Sequence, residues 1–145
     1  MKVLIQRVRY ASVTVDQQVV GQINQGMLAF VGVEKGDDQQ VADKLLDKVL
    51  RYRVFADADD KMNLSLADVQ GGLLLVSQFT LAADTRKGLR PSFSTAAPPA
   101  EGQALYRYVC EQAKLRHGDV ATGQFGADMK VELLNDGPVT FMLEA

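Results

Sequence analysis

Hydrophobic and polar positions in the first third of the chain follow the pattern of β-strands joined by short turns. Val3–Val8 is rich in strand-favouring residues, and at positions 11–15 apolar residues alternate with hydroxyl-bearing ones, as in a half-buried strand. Asp16-Gln17 predicts a tight turn before the next strand, and Asn24–Gly26 predicts another. The continuous apolar run Met27–Val33 is short, contains branched and aromatic residues and is flanked by glycine. It therefore predicts a buried strand.

Two helices are predicted from apolar residues at helical spacing. The first begins at Asp37, a candidate N-cap with Gln40 three residues later, which is close to a capping box. Its core-facing stripe consists of Val41, Ala42, Leu45, Leu46, Val49 and Leu50. The second helix begins at Pro98-Pro99 and ends at His117-Gly118, with Gly118 as the C′ residue. One face of this helix carries Leu105, Tyr108, Val109 and Gln112.

The most apolar stretch, Leu73–Leu81, predicts a strand that ends in polar groups. The following segment, 82–99, has three prolines and several cations but no apolar periodicity, and irregular segments of this length are usually functional or disordered. Alternation from Met129 onward predicts another strand, which a turn at Asn135–Pro138 separates from a last strand at 139–143. Residues 1–145 are therefore expected to form one α+β domain, with two helices and a mainly antiparallel, partly closed, barrel-like sheet.

Composition and charge exclude several classes of protein. A length of 145 residues fits one domain, and 47% hydrophobic with 23% charged residues is typical of a globular rather than a disordered chain. No apolar run approaches the roughly 20 residues of a membrane span, and no secretory signal is visible. The single cysteine, Cys110, fits a reducing compartment, so a cytoplasmic location is expected. A net charge of −2 argues against bulk electrostatic binding of nucleic acid but allows a local basic patch.

Residue counts also argue against a metal site. With one histidine and one cysteine, a zinc site would need two carboxylates besides, and no such spacing is present. The acidic turn 56–61 contains three aspartates, but it has neither the glycine nor the closing glutamate of a calcium loop. A solvated turn is the preferred interpretation.

Three segments carry candidate chemistry, and each also has a purely structural explanation. Ser77–Thr80 follows the most apolar strand, where amides and hydroxyls can bind a carbonyl or stabilise an oxyanion. Local pattern alone favours the alternative that these side chains cap the following turn. A nucleophilic Thr80 needs a neighbouring base, whereas the only histidine, His117, is placed at a helix end, where it more often interacts with the helix dipole.

The second and third segments are equally open to a structural explanation. Asn135–Pro138 is most simply a turn, and only about 5–6% of X-Pro bonds in folded proteins are cis. A cis bond at Gly137-Pro138 would direct two carbonyl oxygens the same way, as a pair of acceptors for an ammonium group. The loop Arg86–Phe93 offers three cations to phosphates and Phe93 to a base, although such a cluster is more often solvated surface. Arg7 and Arg9, in a first strand without acidic residues, would extend the positive face.

Taken together, these motifs resemble those of the D-aminoacyl-tRNA deacylases. The resemblance runs over the whole chain and includes its length. The Ser-Gln-Phe-Thr and Gly-Pro-Val-Thr segments are specific as a pair, although either alone is weak. The matching segments are Met1–Val8, Ser77–Leu81, Arg90–Phe93 and Asn135–Thr140.

The resemblance implies a homodimer in which a cis Gly-Pro step of one subunit reaches the active site of the other. Gly137-Pro138 would then face the Ser77–Thr80 segment of the partner subunit. Backbone carbonyls would accept the α-ammonium group of the substrate, and the wall beside them would leave no room for an L side chain. Glycine has no side chain to exclude, so glycyl-tRNA mischarged on tRNA-Ala is an expected further substrate.

The resemblance also implies a hydrolysis that needs neither a protein nucleophile nor a cofactor. The 2′-OH of the terminal ribose would assist attack by water, while N–H groups around Phe79 and Thr80 stabilise the oxyanion. The implied catalytic residues are Gln78, Phe79 and Thr80, with nucleophilic attack by Thr80 as an open alternative. The implied binding residues are Ser77, Leu81, Gly137 and Pro138 for the aminoacyl group, Phe125 and Met129 for the terminal adenine, and Arg7 as a brace for the Gly-Pro step.

Two functions from other classes are the alternatives to hydrolysis. In a non-catalytic module that binds tRNA ends or D-amino acids, the strand-end amides and Gly-Pro carbonyls serve recognition only. A purely structural β-rich dimer leaves the polar strand end and the basic loop without a role.

Overall fold

The chain folds into eight strands and three helices, together with one turn of 3₁₀ helix at Phe79–Ala82. The computed structural model describes all 145 residues. The strands are β1 (Lys2–Val15), β2 (Gln18–Ile23), β3 (Gly26–Gly32), β4 (Phe55–Ala56), β5 (Met62–Leu64), β6 (Gly72–Ser77), β7 (Val120–Thr122) and β8 (Lys130–Glu144). The helices are α1 (Gln39–Arg51), α2 (Leu66–Val69) and α3 (Pro99–Arg116). None of the helices is long and apolar enough to span a membrane.

The main sheet has the strand order β2-β1-β3-β6-β7, with β8 on β1. Strand β1 pairs antiparallel with β2, β3 and β8, whereas β6 lies parallel to both β3 and β7. The two strands at the ends of this order, β2 and β7, lie against each other. Gly21 of β2 is so near to β7 that a Cβ added to it would lie 2.5 Å from the carbonyl oxygen of Thr122. The sheet is therefore nearly closed, which confirms the predicted α+β class and the barrel-like, mainly antiparallel sheet.

Strand β3 is buried on both faces and separates two layers of core. Met27 and Ala29 on one face join the cluster formed with the helices, which includes Leu45 of α1 and Val109 of α3. Leu28 on the other face packs in a second cluster inside the barrel. Burial on both faces explains why this segment is a continuous apolar run rather than an alternating one.

The helices follow the predicted pattern, with differences at their ends and faces. The N-cap of α1 is Asp38, whose side chain accepts a hydrogen bond from the Val41 N–H at 2.9 Å, so the assignment of Asp37 was wrong. Asp37 instead accepts hydrogen bonds from the Glu34 N–H and the Met1 ammonium group, both outside the helix. Helix α3 begins at Pro99 as predicted. Its buried face, however, is made of Gly102, Leu105, Tyr106, Val109, Cys110 and Ala113, while Tyr108 and Gln112 lie at its margin.

Several predicted boundaries are corrected. The two strands expected at the N-terminus are one continuous strand, β1, and the Asp16-Gln17 turn after it is confirmed, with both residues at positive φ. The strand expected over Leu73–Leu81 ends at Ser77, where the 3₁₀ turn follows. The expected turn at Asn135–Pro138 lies inside β8, because β1 continues to pair on both sides of it. Two helices were predicted, and the short α2 is a third.

Candidate active site

A cleft of about 450 Å³ opens where β6 ends. It is lined by 16 residues, ten of them hydrophobic. They come from β3 and β6, from the residues that directly follow these two strands, from α3 and the adjacent Ala97, and from the segment 125–131. The predicted site residues among them are Ser77, Gln78, Phe79, Phe125 and Met129. The structure thus brings together two sequence segments, at 77–79 and 125–129, that are about 50 residues apart along the chain.

Backbone hydrogen bonding at the end of β6 leaves two donors free. The Gln78 N–H still bonds to the Val31 carbonyl at 2.8 Å, as the last link to β3. The chain then turns, and the Leu81 N–H donates to the Gln78 carbonyl at 3.2 Å. The N–H groups of Phe79 and Thr80, which begin the 3₁₀ turn, make no hydrogen bond within the chain. They are unpaired for the same reason as the first amides of any helix. Phe79 lines the cleft and Thr80 is the next residue, so both amides are free to meet an acceptor beside it.

Thr80 has no base beside its hydroxyl group. Its Oγ1 accepts a hydrogen bond from the Gln78 side-chain amide at 2.5 Å, and an amide N–H cannot remove a proton. The only imidazole, His117, contacts the Gly71 carbonyl at 2.6 Å, at the opposite end of β6. Six residues of extended chain separate Gly71 from Ser77, a distance of roughly 20 Å. The geometry therefore resembles an oxyanion-binding site more than a nucleophile with its base.

The apolar wall of the cleft is held by α3. The ring centroids of Phe125 and Tyr106 are 6.0 Å apart. Phe125 also packs over Gly102, because a Cβ added to this glycine would lie 3.7 Å from Phe125 Cζ. The Tyr106 hydroxyl donates to the buried Leu75 carbonyl at 2.8 Å, and burial raises the pKa of this tyrosine. The Sδ of Met129 accepts a hydrogen bond from the Gln124 N–H at 3.4 Å. Phe125 and Met129 thus give the cleft an apolar surface suited to a flat ring.

The segment 83–97, here called the strap, folds back beside the cleft. Its Phe93 ring lies 5.1 Å from the ring of Phe79, so the residue predicted to stack on a base contacts the site in this structure. The Arg86 guanidinium donates two hydrogen bonds to the Asp84 carboxylate and holds the pKa of that carboxyl well below its usual range. Of the three predicted phosphate-binding cations, Arg86 is therefore already paired.

The Gly137-Pro138 step forms a bulge in β8 opposite a single arginine. Gln6 pairs with Thr140 and Val8 with Asn135, so four residues of β8 face Arg7 alone. Arg7 donates from Nε to the Asp136 carbonyl at 2.8 Å and from Nη1 to the Val54 carbonyl at 2.7 Å. The Gly137-Pro138 peptide bond is cis, and both residues are exposed.

Within one chain the bulge lies away from the cleft. Arg7 pairs with Met27 and Ser77 pairs with Val31, four residues further along β3, which corresponds to about 13 Å. Leu81 also lies outside the cleft lining and packs over Gly32. Thr80, which follows the lining residue Phe79, is not part of the cleft lining either. Thr80, Leu81, Arg7, Gly137 and Pro138 are thus outside the cleft lining of their own subunit.

Sequence reasoning missed the residues that shape the cleft wall, above all Gly102 and Tyr106. A tyrosine on an apolar helix face signals a hydroxyl that needs a buried partner, but the partner, a strand carbonyl, is visible only in the fold. No group of three or more histidine, cysteine or acidic residues that could hold a metal is present. In the acidic turn, the Asp57 carboxylate accepts hydrogen bonds from the Asp59 and Lys61 N–H groups, so it closes the turn.

Comparison with known proteins agrees with the resemblance found in the sequence. Residues 4–144 match the family model described as D-Tyr-tRNA(Tyr) deacylase. The chain is 67% identical to the D-aminoacyl-tRNA deacylase of Cellvibrio japonicus (strain Ueda107) over 141 residues, 97% of each chain. It is 66% identical to that of Stutzerimonas stutzeri (strain A1501) over 145 residues, the full length of both.

Solved structures show the same fold. The c-Myc DNA unwinding element binding protein is 37% identical and superposes with a TM-score of 0.95, over 100% of this chain and 99% of that one. A probable eukaryotic D-amino acid tRNA deacylase, 17% identical, has a TM-score of 0.82 over 99% of this chain and 98% of that one, and shares the fold. On the family match and the full-length relatives, the chain belongs to the D-Tyr-tRNA(Tyr) deacylase family.

Proposed function

We propose that this protein hydrolyses the ester bond between a D-amino acid and the 3′ end of tRNA, releasing both. Membership of the deacylase family supports this reaction. The single observation that carries it is the pair of unpaired N–H groups at Phe79 and Thr80, beside a cleft whose lining is mostly apolar. Two fixed donors can stabilise the oxyanion that forms when an ester carbonyl is attacked, and the Phe125 and Met129 wall suits the terminal adenine.

In the proposed mechanism a group of the substrate, and not a side chain of the protein, activates the attacking water. Water attacks the ester carbonyl, and the neighbouring 2′-OH of the terminal ribose assists this attack. The carbonyl oxygen gains charge and is stabilised by the N–H groups of Phe79 and Thr80, after which the ester bond to the ribose breaks. The absence of a base next to Thr80 supports this route over attack by its hydroxyl. Binding in the cleft supplies orientation, and no metal or cofactor takes part in the proposed reaction.

We further propose that the active unit is a homodimer and that Gly137-Pro138 of one subunit enters the cleft of the other. Gly137-Pro138 lies in β8, and β8 pairs only with β1. The other edge of β8 is therefore open to a second chain. Leu134, Phe141 and Met142 on the same strand are exposed apolar residues, which a partner subunit would cover. Carbonyl groups of the step then bind the ammonium group of the substrate and exclude an L side chain, but not glycine.

Hydrolysis of matched D- and L-tyrosyl-tRNA tests this proposal. With protein at about one hundredth of the substrate concentration, we expect many turnovers of the D ester and a rate near the uncatalysed one for the L ester. Glycyl-tRNA, including glycine mischarged on tRNA-Ala, is expected to be cleaved as well. Comparable rates on both tyrosyl esters would contradict chiral selection. Tight binding of the D ester without turnover would instead favour a module that binds tRNA ends or D-amino acids.

A further inference from the structure

The strap concentrates positive charge in a molecule that is otherwise acidic. Its fifteen residues include three basic side chains and one acidic one, whereas the whole chain has a net charge of −2. All positions from 85 to 95 are exposed. Such a local excess of cations is the electrostatic feature expected where a polyanion is bound by contact rather than by the field of the whole protein.

Several contacts hold the strap in place beside the cleft. Asp84 and Ser92 exchange two backbone hydrogen bonds, of 2.7 and 3.1 Å, which close the strap at its base. The Lys35 N–H donates to the Thr95 carbonyl at 3.0 Å, and the Phe93 ring packs on Phe79. The cations are therefore carried by a segment anchored to the rim of the cleft rather than by a free tail.

Two of the three cations of the strap have no partner. The Arg86 guanidinium is paired with Asp84 at 2.8 Å, which fixes its position but neutralises it. Lys87 and Arg90 are exposed and lie within 4 Å of no carboxylate oxygen, so they are free to contact phosphates. Lys2, whose charge acts on Asp84, adds a further cation at the base of the strap.

We propose that Lys87 and Arg90 of the strap bind backbone phosphates of the substrate RNA upstream of the terminal adenosine. The inference rests on the proposed function, because it requires the adenosine to occupy the cleft. A strand held there by its last nucleotide continues outward past the mouth of the cleft, which the strap borders through Phe93 and Phe79. Contacts of this kind position an RNA without reading its sequence.

Two substrates separate this role from catalysis. One is D-tyrosyl-tRNA, and the other is D-tyrosyl-adenosine, which has the same ester and adenine but no phosphate. For the Lys87→Ala/Arg90→Ala variant we expect KM for the tRNA to rise about tenfold at moderate salt, with kcat unchanged. Its kcat/KM for D-tyrosyl-adenosine should stay within about twofold of wild type. The slope of log KM against log salt concentration for the tRNA should be lower by roughly 1.4, for two lost single-strand phosphate contacts.

Two further variants control for charge and for folding. Lys48→Ala/Lys114→Ala removes the same number of exposed cations from the last turns of α1 and α3 and should leave both substrates unaffected. Lys87→Arg/Arg90→Lys keeps the charge of the strap and should keep the KM for tRNA within about twofold of wild type, since phosphate contacts of this type depend mainly on charge.

Three results would overturn the inference. The strap variant could leave the KM for tRNA unchanged, the strap variant could alter both substrates equally, or the Lys48→Ala/Lys114→Ala control could raise the KM for tRNA as much as the strap variant does. Failure of wild-type protein to cleave either substrate would instead count against the proposed function. In that case filter binding of uncharged tRNA still decides the inference, since the strap variant should bind about tenfold more weakly than wild type.

Discussion

At the scale of single residues, the candidate active site consists of backbone groups positioned by side chains. The free N–H groups of Phe79 and Thr80 arise because β6 stops pairing at Gln78 and a new helical turn begins. The Gln78 side chain holds the Thr80 hydroxyl, and Arg7 holds the Asp136 carbonyl beside Gly137. Substitutions that keep the backbone in place should therefore matter less than those that move it.

Thr80→Ala is expected to keep substantial activity. Alanine retains the backbone N–H and loses only one side-chain hydrogen bond, worth about 0.5–1.5 kcal/mol net, or roughly tenfold in rate at most. Single-turnover hydrolysis of D-tyrosyl-tRNA measures this. A substrate whose terminal ribose lacks the 2′-OH should be cleaved far more slowly by wild type. If Thr80→Ala is inactive while the 2′-deoxy substrate reacts normally, the threonine is the nucleophile.

Gly137→Ala is expected to reduce activity more than a hundredfold. At a φ of +152° the residue has a conformation that L side chains rarely adopt, and an added Cβ would lie 2.6 Å from Val139 Cγ2 and 2.8 Å from its amide nitrogen. The backbone that we propose for ammonium binding must therefore shift. Gly118→Ala is the matched control, because nothing lies within 4 Å of a Cβ there. Circular dichroism before and after the assay reports whether each variant is folded, and near-normal activity of folded Gly137→Ala would contradict the proposed role.

At the scale of elements, α3 both supports the cleft and buries two ionisable groups against the sheet. Tyr106 and Cys110 lie one turn apart on its buried face. Burial raises the pKa of the Cys110 thiol and of the Tyr106 phenol above their ordinary values. Both groups are neutral when protonated, so the folded protein disfavours their ionised forms. The stability that the packing of α3 contributes therefore depends on pH in the alkaline range.

The free energy of unfolding is expected to fall as the pH rises above about 8.5, the ordinary pKa of a thiol. Below that value both folded and unfolded chains keep the proton, and the stabilisation is fully present. Above it the unfolded chain releases protons that the folded chain retains, which favours unfolding. Urea denaturation at about pH 7 and about pH 10 measures the change. Cys110→Ala should lose less stability than wild type over the same interval, and an equal loss would show that the thiol is not responsible.

At the scale of the whole molecule, one edge of β8 has no strand beside it within a single subunit. A strand of 15 residues with an unpaired edge and exposed apolar side chains favours association with a second chain. Tyr10 and Leu134 are opposite each other on β1 and β8, and both are more than 40% exposed. The separation of the Gly137-Pro138 bulge from the cleft of its own subunit supports the same arrangement.

Wild-type protein is therefore expected to sediment as a dimer, and Leu134→Glu as a monomer. In the proposed dimer Leu134 is covered by the partner subunit, and an unpaired carboxylate buried there costs several kcal/mol. The association is then weakened by roughly a hundredfold or more. Because the proposed site combines both subunits, the monomer should also lose chiral selection and most of its activity. Leu115→Glu, on an exposed position of α3, is the matched control. A fully active Leu134→Glu monomer would refute the shared site.

The local pattern of the sequence was sufficient for much of the fold. Alternation and apolar runs identified β1, β3 and the core of β6, and helical spacing identified α1 and α3, because these elements bury a continuous stripe or face. The short elements α2, β4, β5 and β7 carry too few residues for a periodicity to be visible. The N-cap at Asp38 was missed because the adjacent Asp37 has equivalent chemistry, and only the position of the Met1 ammonium group distinguishes the two.

What the sequence by itself determined is the class of chain, the two core helices and the segments that carry the family resemblance. Periodicity, composition and short motifs are local properties, and they are present before the chain folds. Only the tertiary structure decided that Ser77–Phe79 and Phe125–Met129 share one cleft, and that the amides of Phe79 and Thr80 are left free. It also decided that Gly137-Pro138 lies in a bulge opposite Arg7, away from that cleft. These relations depend on strand register and on the near closure of the sheet, which are set by packing between distant segments and leave no local pattern in the sequence.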